Sequence, residues 1–249
     1  FDITLASYVL TPSEKDYEVF KLGSAHEISI PQVALDESLT PFEKTIQQVY
    51  VISKLEPILK EEIKANNQSE LLTKIEQPLS KVLASMENIG FLVDRQGLEK
   101  YGDEIETELK KIEASIHSLA GEEFNVNSPR QLGSILFEKL KLPYGKKGKT
   151  GYSTSAQILE KLSGEHKIVD EILKYRSLSK LKSTYCDGII KLIQNDGRVR
   201  SSFNQTETRT GRISSSEPNL QNIPVRTEKG RQLRKFFKAP EGCVLIDAD

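Results

Sequence analysis

The sequence predicts a multi-domain α+β fold, and three observations support that prediction. Two long segments each carry one apolar stripe at three- and four-residue steps, which is typical of helices that pack against a partner. Short runs with strand character stand near the carboxyl end. Residues 1–65 mix short apolar runs with four prolines, which is typical of the trailing part of an α/β unit.

Length and composition exclude several classes of protein. The 249 residues, with 37% hydrophobic and 29% charged, are enough for one large domain or two smaller ones and have a globular composition. No run approaches the roughly 20 apolar residues of a membrane-spanning helix. Asp2 stands where a signal peptide carries basic residues, so we expect a cytoplasmic protein that contacts no membrane.

The cysteines and histidines offer little chemistry. Two cysteines are too few for a disulfide framework or a cysteine-based zinc site, and we expect idle or buried thiols. None of the three histidines stands at metal-ligand spacing from another. These residues are Cys186, Cys243, His26, His117 and His166.

A strong charge asymmetry lies behind the net charge of −1. Residues 1–129 carry 12 Lys and Arg against 23 Asp and Glu, whereas residues 130–249 carry 23 against 13. A basic half is the electrostatic pattern of a protein that binds a polyanion. Solvated, lysine-rich helix faces would give the same counts, so charge alone leaves both interpretations open.

The first helical segments follow a boundary at 66–69, where three amides and a serine interrupt the pattern. Apolar residues recur at helical steps over 71–89, with Pro78 as a predicted kink and Gly90 as the end. The clearest helix comes next, and Gly121 ends it. Its stripe comprises Leu98, Tyr101, Ile105, Leu109, Ile112, Ile116 and Leu119.

A second long helix is predicted over 167–193, and the two long helices form an antiparallel arm. Between them, Ser128 and Pro129 give an N-cap and a first-turn proline for a helix that extends to 140. A basic, glycine-rich tip covers 145–151, and a short helix covers 155–162. The stripe of the second long helix comprises Ile168, Ile172, Leu178, Leu181, Tyr185, Ile189 and Leu192.

The glycine-rich tip contains GKT at 148–150, which resembles the end of a nucleotide-binding P-loop. That motif requires a glycine five positions before the GKT glycine, where the chain has Pro143, and a preceding strand, where the chain is predicted to be helical. We therefore interpret the tip as a flexible segment. Its lysines, Lys146, Lys147 and Lys149, need only proximity to contact a phosphate backbone.

Two strands are predicted near the carboxyl end. A turn at 195–197 leads into a strand over 199–203, and a second strand covers 244–249. Asp247 and Asp249 stand two apart, so both point to one face at the strand end. Carboxylates in that place suit Mg²⁺, which binds oxygen ligands, although a solvated strand end is the commoner explanation.

The most informative segment, 204–238, is dense in Arg, Asn, Gln, Ser and Thr. The minor groove of DNA presents acceptors at similar positions for every base pair, and these side chains can donate to them without reading the sequence. An extended loop held by side-chain-to-backbone hydrogen bonds would have the same composition. The segment ends with Arg226, Arg231 and Arg234 at helical spacing, where they can face a phosphate.

Several of these strings resemble DNA polymerase family A. TGRISS at 210–215, PNLQNIPVR at 218–226 and the terminal LIDAD at 245–249 resemble the palm of that family, and LKSTY at 181–185 resembles the base of its thumb. Residues 121–125, 128–132 and 135–139 fit the outer thumb. The match runs in order along nearly the whole chain, and PNLQNIP is highly specific.

The resemblance implies a role for each matching residue. Arg212 would be catalytic, lying in the minor groove at the primer-terminal base pair. Asp249 would be catalytic as the first of two aspartates that hold two Mg²⁺ ions in the complete enzyme, whereas Asp247 would be a bystander. The other implied DNA contacts are Lys182, Ser183, Thr184, Asn219, Gln221, Asn222, Arg226 and Arg234.

The resemblance also implies partners and a full fold description. The fold would comprise the end of an RNase H-like α/β exonuclease-type domain, a long antiparallel helical thumb and the first strands of the palm. The domains would be the exonuclease remnant 1–67, a linking helix 68–94, the thumb 95–195 and the first part of the palm 196–249. The expected partners are primer-template duplex DNA and, in the complete enzyme, dNTPs. A monomeric, nucleoid-associated protein is expected.

Two departures from the family limit the implied activity. The chain stops at Asp249, where the family continues through fingers to a second palm aspartate, so these residues alone are expected to bind DNA weakly and not to polymerise. The last exonuclease motif would place Asp four residues after a Tyr, but Tyr50 is followed there by Lys54. We therefore expect no 3′–5′ exonuclease activity.

Two other functions stay open. One is a non-catalytic DNA-binding module derived from the polymerase thumb, which the sequence beyond residue 249 would distinguish. The other is a nuclease, which the missing exonuclease acids disfavour.

Overall fold

Residues 1–29, 40–143, 148 and 151–246 are described by a computed structural model. The chain divides into two compact units. Unit 1 combines Phe1–Gly90 with Arg200–Asn222, and unit 2 combines Phe91–Val199 with Ile223–Asp249. Each unit is therefore built from two separate stretches of chain.

Helices dominate both units. The α-helices are α1 Ile3–Leu10, α2 Val19–Ala25, α3 Pro41–Ala65, α4 Gln77–Ile89, α5 Arg95–Ala120, α6 Pro129–Gly133, α7 Ala156–Lys161, α8 Lys167–Lys180, α9 Gly188–Leu192 and α10 Glu228–Leu233. π-Helical turns cover Leu71–Glu76, Ser134–Lys139 and Leu181–Asp187, and a 3-10 turn covers Arg234–Phe236. The strands are β1 Phe91–Val93, β2 Arg198–Val199, β3 Ser202–Asn204, β4 Ser214–Ser216 and β5 Phe237–Lys238.

The core of unit 1 lies among α1, α2, α3 and the π-helical turn before α4. Asp2 caps α1 by accepting the Leu5 N–H at 3.0 Å, and Thr40 and Glu43 form a capping box at the start of α3. The core residues are Ile3, Leu5, Ala6, Tyr8, Val9, Tyr17, Val51, Leu55, Leu59, Ile63 and Leu72. The described residues of 1–67, which the sequence predicts to end an α/β unit, thus contain three helices and no strand.

A two-stranded antiparallel ladder completes unit 1. β3 pairs with β4, with Phe203 opposite Ser215, and α4 packs beside β3. The strand predicted over 199–203 is therefore divided, because Val199 lies in β2 of unit 2. Residues 205–213 connect β3 to β4 and are called the β3–β4 loop below.

A three-stranded antiparallel sheet in the order β2-β1-β5 leads into the long helix of unit 2. Asp94 follows β1 and caps α5, with its Oδ1 accepting the Gly97 N–H at 3.0 Å. Its Oδ2 binds the Nζ of Lys238, on β5, at 2.6 Å. These hydrogen bonds, from Lys238 first and from Gly97 second, hold the pKa of Asp94 below its usual value. The sheet therefore fixes the start of α5.

The arm predicted from the two apolar stripes is confirmed. α5 packs along α8 and the π-helical turn that follows it, and Ile105, Ile116, Ile168 and Ile172 are fully buried. The two long helices of the arm are antiparallel, because the start of α5 contacts α9, which ends the helical stretch that begins with α8. Gly121 ends α5 with φ of 73°, as predicted.

The strand predicted over 244–249 is not formed in its described part. Val244, Leu245 and Ile246 are 78%, 58% and 86% exposed, and no described strand pairs with them. Extended backbone forms a strand only where a neighbouring strand satisfies its hydrogen bonds. Asp247 and Asp249 lie outside the described residues.

Among the described residues, no helix combines the length and the apolar character needed to cross a membrane.

Candidate nucleic-acid interface

The β3–β4 loop carries Arg212, the central residue of the predicted interface. The tip of the loop is closed by a 2.6 Å hydrogen bond from Thr208 Oγ1 to the carbonyl oxygen of Arg212. Gly211 between them has φ of 76°, the left-handed region that glycine adopts without strain. The backbone of Arg212 therefore belongs to a closed turn.

Four hydrogen bonds connect this loop and its base to the helices of unit 1. Tyr8 Oη donates to the carbonyl oxygen of Thr208 at 2.7 Å, and the Phe203 N–H donates to Glu87 Oε1 at 2.6 Å. Gln205 Nε2 donates to Glu76 Oε2 at 3.0 Å and to the Glu76 carbonyl oxygen at 3.1 Å. Sequence reasoning missed these helical partners, because no local pattern relates Tyr8 to a residue 200 positions later.

The Arg212 side chain is exposed, and its guanidinium has no partner among the described residues. Arg209, on the same turn, is also exposed, and its guanidinium also has no partner among the described residues. The one carboxylate in the loop, that of Glu207, accepts the Ser214 hydroxyl instead. The guanidinium of Arg212, with five donors in a planar fork, is therefore available to a ligand.

Two predicted DNA contacts, Asn219 and Gln221, already bind the backbone. Asn219 Oδ1 accepts the N–H groups of Gln221 and Asn222 at 3.1 and 3.2 Å. Gln221 Nε2 donates to the carbonyl oxygen of Ile213 at 2.9 Å. The segment is therefore held by side-chain-to-backbone hydrogen bonds, the alternative that composition alone left open. Asn219 Nδ2 and Gln221 Oε1 are not used in these bonds.

A buried serine pair supports the same segment. Ser201 and Ser215 are 6% and 3% exposed, and their hydroxyl oxygens lie 3.1 Å apart. Both donate to the carbonyl oxygen of Pro218, and Ser215 Oγ accepts the Leu220 N–H at 3.3 Å. The serine-rich composition was the only sequence signal for this network, and it did not distinguish these two serines.

Lys182, the predicted backbone contact at the base of the arm, lies in an ion-pair network. Its Nζ is 2.9 and 3.1 Å from the two carboxylate oxygens of Asp187 and 3.7 Å from Glu106 Oε2 on α5. The hydrogen bond to Asp187, together with the two negative charges, raises the pKa of Lys182. Ser183 and Thr184 beside it are exposed.

The short helix α10 is fixed against α5. Tyr101 Oη donates to the carbonyl oxygen of Lys229 at 2.8 Å, and Lys229 Nζ lies 2.6 Å from Glu108 Oε2. Lys174, on α8, reaches the other Glu108 oxygen at 3.3 Å. These hydrogen bonds, with Lys229 first, lower the pKa of Glu108, and burial raises the pKa of Tyr101 to about 12.

Three arginines surround this helix. Arg226 precedes α10, Arg231 lies within it and Arg234 begins the turn that follows. All three are exposed and have no side-chain partner among the described residues. Unlike Lys182, they offer cationic groups that no carboxylate of the described chain neutralises.

The remaining predicted site residues lie outside the described residues. They are Lys146, Lys147, Lys149 and Asp249. Within the described part, no three His, Cys, Asp or Glu side chains converge to form a metal site.

The cysteines differ in burial, and two of the histidines bind backbone groups. Cys186 is fully buried, and burial raises the pKa of its thiol to about 12, whereas Cys243 is exposed. His117 Nε2 lies 2.8 Å from the Phe124 carbonyl oxygen, and His166 Nδ1 accepts the N–H of the first turn of α8. For Cys186, burial agrees with the expectation of a buried thiol.

Comparison with known proteins assigns this arrangement to a class. Residues 95–249, which include the arm, α10 and Arg212, match the model of DNA polymerase family A. The chain therefore belongs to DNA polymerase family A.

Individual relatives agree with the family. The chain is 45% identical over 262 residues to DNA polymerase I of Geobacillus stearothermophilus and 44% identical over 262 residues to DNA polymerase I of Bacillus subtilis (strain 168). Both alignments cover 100% of this chain and 30% of the relative. The chain thus spans about 30% of the length of these curated relatives.

A solved structure resembles the fold. It is the POL domain of Pol1 from M. smegmatis in complex with DNA primer-template and dNTP. The TM-score is 0.84 at 34% sequence identity, and the match covers 97% of this chain and 41% of the other. The helix-rich fold with few strands is therefore that of a polymerase domain.

Proposed function

We propose that the chain is part of a DNA-templated DNA polymerase acting in replication and repair. The observation that carries this proposal is the exposed, unpaired guanidinium of Arg212 on a closed turn. The likeness to a Pol1 domain that binds DNA primer-template and dNTP supports it. In the proposed reaction, the primer 3′-oxygen attacks the α-phosphorus of a dNTP, gives up its proton and displaces pyrophosphate.

Arg212 donates to minor-groove acceptors at the primer-terminal base pair in this proposal. A correct pair presents adenine N3, thymine O2 and their equivalents in uniform places, so one guanidinium can test pairing without reading sequence. Asn219 and Gln221 hold the geometry of the segment through the bonds described above. Their unused amide atoms, together with Asn222, contact the primer-template.

The cationic groups of unit 2 contact phosphates in this proposal. Arg226 and Arg234 act directly, since nothing in the described chain pairs with them. Lys182 exchanges its carboxylate partners for a phosphate, and the hydroxyls of Ser183 and Thr184 donate to the same backbone. The tip lysines, Lys146, Lys147 and Lys149, extend the contacts along the duplex.

Magnesium belongs to the proposal through Asp249. A lone carboxylate is the type of oxygen ligand that Mg²⁺ prefers, and polymerases use the ion to neutralise charge on transferring phosphates. The two-ion arrangement, and the role of Asp249 within it, stay proposals.

The domain assignments are proposals as well. We retain the thumb at 95–195, the first part of the palm at 196–249 and the linking helix at 68–94. The segment 1–67 remains a proposed exonuclease-type remnant without nuclease chemistry, since Tyr50 is followed by Lys54. Monomeric state and nucleoid location stay predictions.

Primer extension tests this function. The full-length protein should add nucleotides to a primed template in the presence of Mg²⁺, and Asp249→Asn should abolish that addition. The isolated 249 residues should bind the same duplex weakly, in a salt-sensitive way, and add nothing. Extension by the isolated chain would refute its predicted inactivity. Binding without extension by the full-length protein would instead identify a non-catalytic DNA-binding module.

A further inference from the structure

We propose that Tyr8 is a positioning residue for Arg212, so that the N-terminal helical segment has a role in the reaction. The inference rests on the proposed function of Arg212. It assigns a task to a part of the chain for which no chemistry is otherwise expected.

A chain of two hydrogen bonds joins Tyr8 to the turn that carries Arg212. Tyr8 Oη donates to the carbonyl oxygen of Thr208 at 2.7 Å, and Thr208 Oγ1 donates to the carbonyl oxygen of Arg212 at 2.6 Å. Thr208 therefore receives a bond from α1 and passes one to the arginine backbone. Tyr8 is 4% exposed, so its hydroxyl has a fixed direction within a packed core.

A second tyrosine in the same core donates its hydroxyl to a different part of the chain from Tyr8. Tyr17 packs edge-on against Tyr8, with ring centroids 6.0 Å apart, and is 8% exposed. Its Oη also donates to a backbone carbonyl at 2.7 Å, but the acceptor is Thr11, six residues away. Two buried tyrosines thus make the same kind of bond, and only that of Tyr8 reaches the β3–β4 loop.

The bond matters because, among the described residues, it is the hydrogen bond that joins the tip of the loop to a helix. Arg209 and Arg212 are exposed, and Gly211 allows a wide range of backbone conformations. A donor from a rigid helix reduces the conformations that the turn samples before DNA binds. In the proposed reaction, a turn that already holds the Arg212 backbone in place lowers the cost of reaching the productive geometry.

The test compares two single-hydroxyl deletions in the full-length enzyme. Tyr8→Phe and Tyr17→Phe each remove one phenolic hydroxyl from the same core and keep the ring. We expect Tyr8→Phe to lower kcat/KM for primer extension roughly fivefold, the effect of one hydrogen bond, with the Kd for primer-template unchanged. Tyr17→Phe should lower the free energy of unfolding by the amount typical of one hydrogen bond and should leave kcat/KM unchanged.

A background variant separates positioning from stability. In Arg212→Ala, Tyr8→Phe should have no further effect on kcat/KM, because the residue through which it acts is gone. Thr208→Val provides a second break in the same chain without altering the core, and we expect the same fivefold loss.

The outcomes distinguish the two levels of the proposal. A wild-type enzyme that does not extend primers refutes the proposed function itself. In a wild-type enzyme that does, equal kinetic effects of the two tyrosine variants overturn the inference alone. The inference is also overturned if Tyr8→Phe still lowers kcat/KM in the Arg212→Ala background. A Thr208→Val variant with wild-type kcat/KM would overturn it as well.

Discussion

The predicted DNA contacts of the two units are held in opposite ways. At the tip of the β3–β4 loop, the hydroxyls of Tyr8 and Thr208 make the structural hydrogen bonds, and the Arg212 guanidinium has no partner among the described residues. At the base of the arm, the Lys182 ammonium is itself the structural group, bound by Asp187 and Glu106. A phosphate must therefore compete with two carboxylates for Lys182, whereas Arg212 gives up only water.

This difference separates two uses of a cation in a nucleic-acid-binding protein. A cationic residue whose backbone is fixed by other groups can donate in a defined direction, so its hydrogen bond depends on the geometry of the ligand. A cation bound by carboxylates contributes to the stability of the free protein and reaches a ligand only by exchange. The measurements below test that separation.

The largest expected effect is that of Arg212→Ala in the full-length protein, assayed for the proposed primer extension. Loss of the proposed minor-groove donor should lower kcat/KM for extension by roughly 10- to 100-fold, the range for one good base contact, and change the Kd for DNA much less. Steady-state extension and equilibrium binding measure the two quantities. Arg209→Ala, on the same turn, is the matched control and should keep kcat/KM near wild type. An equal fall in affinity and kcat/KM would make Arg212 a backbone anchor.

The next effect concerns the salt dependence of DNA binding. Arg234→Gln removes an unpaired cation, so the slope of log K against log salt should fall by about 0.9, the value for one phosphate contact. Lys182→Gln should lower the slope by less than half as much, because the carboxylates already neutralise that ammonium. Titrations of one duplex at several salt concentrations give both slopes. A larger change for Lys182→Gln than for Arg234→Gln would contradict the comparison.

A smaller effect is expected on stability. Lys182→Met removes the ammonium between Asp187 and Glu106 and should lower the free energy of unfolding by roughly 0.5–1 kcal/mol, the upper range for partly exposed pairs. Urea unfolding measures the change. Arg234→Met removes a cation with no partner in the described chain and serves as the control, with no measurable loss. Equal stability of the two variants would show that the Lys182 pairs contribute nothing.

The smallest effect is the pH dependence of that stability. Because the pKa of Lys182 is raised in the folded chain, its contribution is complete below the unfolded lysine pKa of about 10.4. It is lost as the pH rises through the higher folded value. The stability difference between wild type and Lys182→Met should therefore be constant from pH 7 to 9 and shrink only above about pH 10.5. A difference that already disappears by pH 9 would refute the assignment.

The sequence predicts much of the arm correctly, because its information is local. Ile105 and Ile116 lie on a stripe that is fully buried, and Gly121 ends α5 in the conformation that glycine favours. Ser128 caps α6, as its position before a proline predicts. Apolar periodicity and capping depend only on neighbours within one or two turns, so they can be read without the fold.

The surroundings of the site residues could not be predicted in the same way. Lys182 meets Asp187 five residues later within a π-helical turn, whereas an α-helix would place residues three or four apart together. Glu106 comes from the other helix of the arm, and Tyr8 reaches Thr208 across most of the chain. The resemblance to a family predicts a role for Arg212, and that role stays a prediction, whereas the packing shows which groups hold its turn.

Unit 1 has a consequence for attempts to shorten the protein. A trimmed polypeptide that starts at residue 68 would retain every residue proposed for the thumb and palm, yet the carbonyl oxygen of Thr208 would lose the donor that α1 provides. Removal of the segment 1–67 is then expected to increase misinsertion. The ratio of matched to mismatched extension in trimmed and intact enzymes measures that cost.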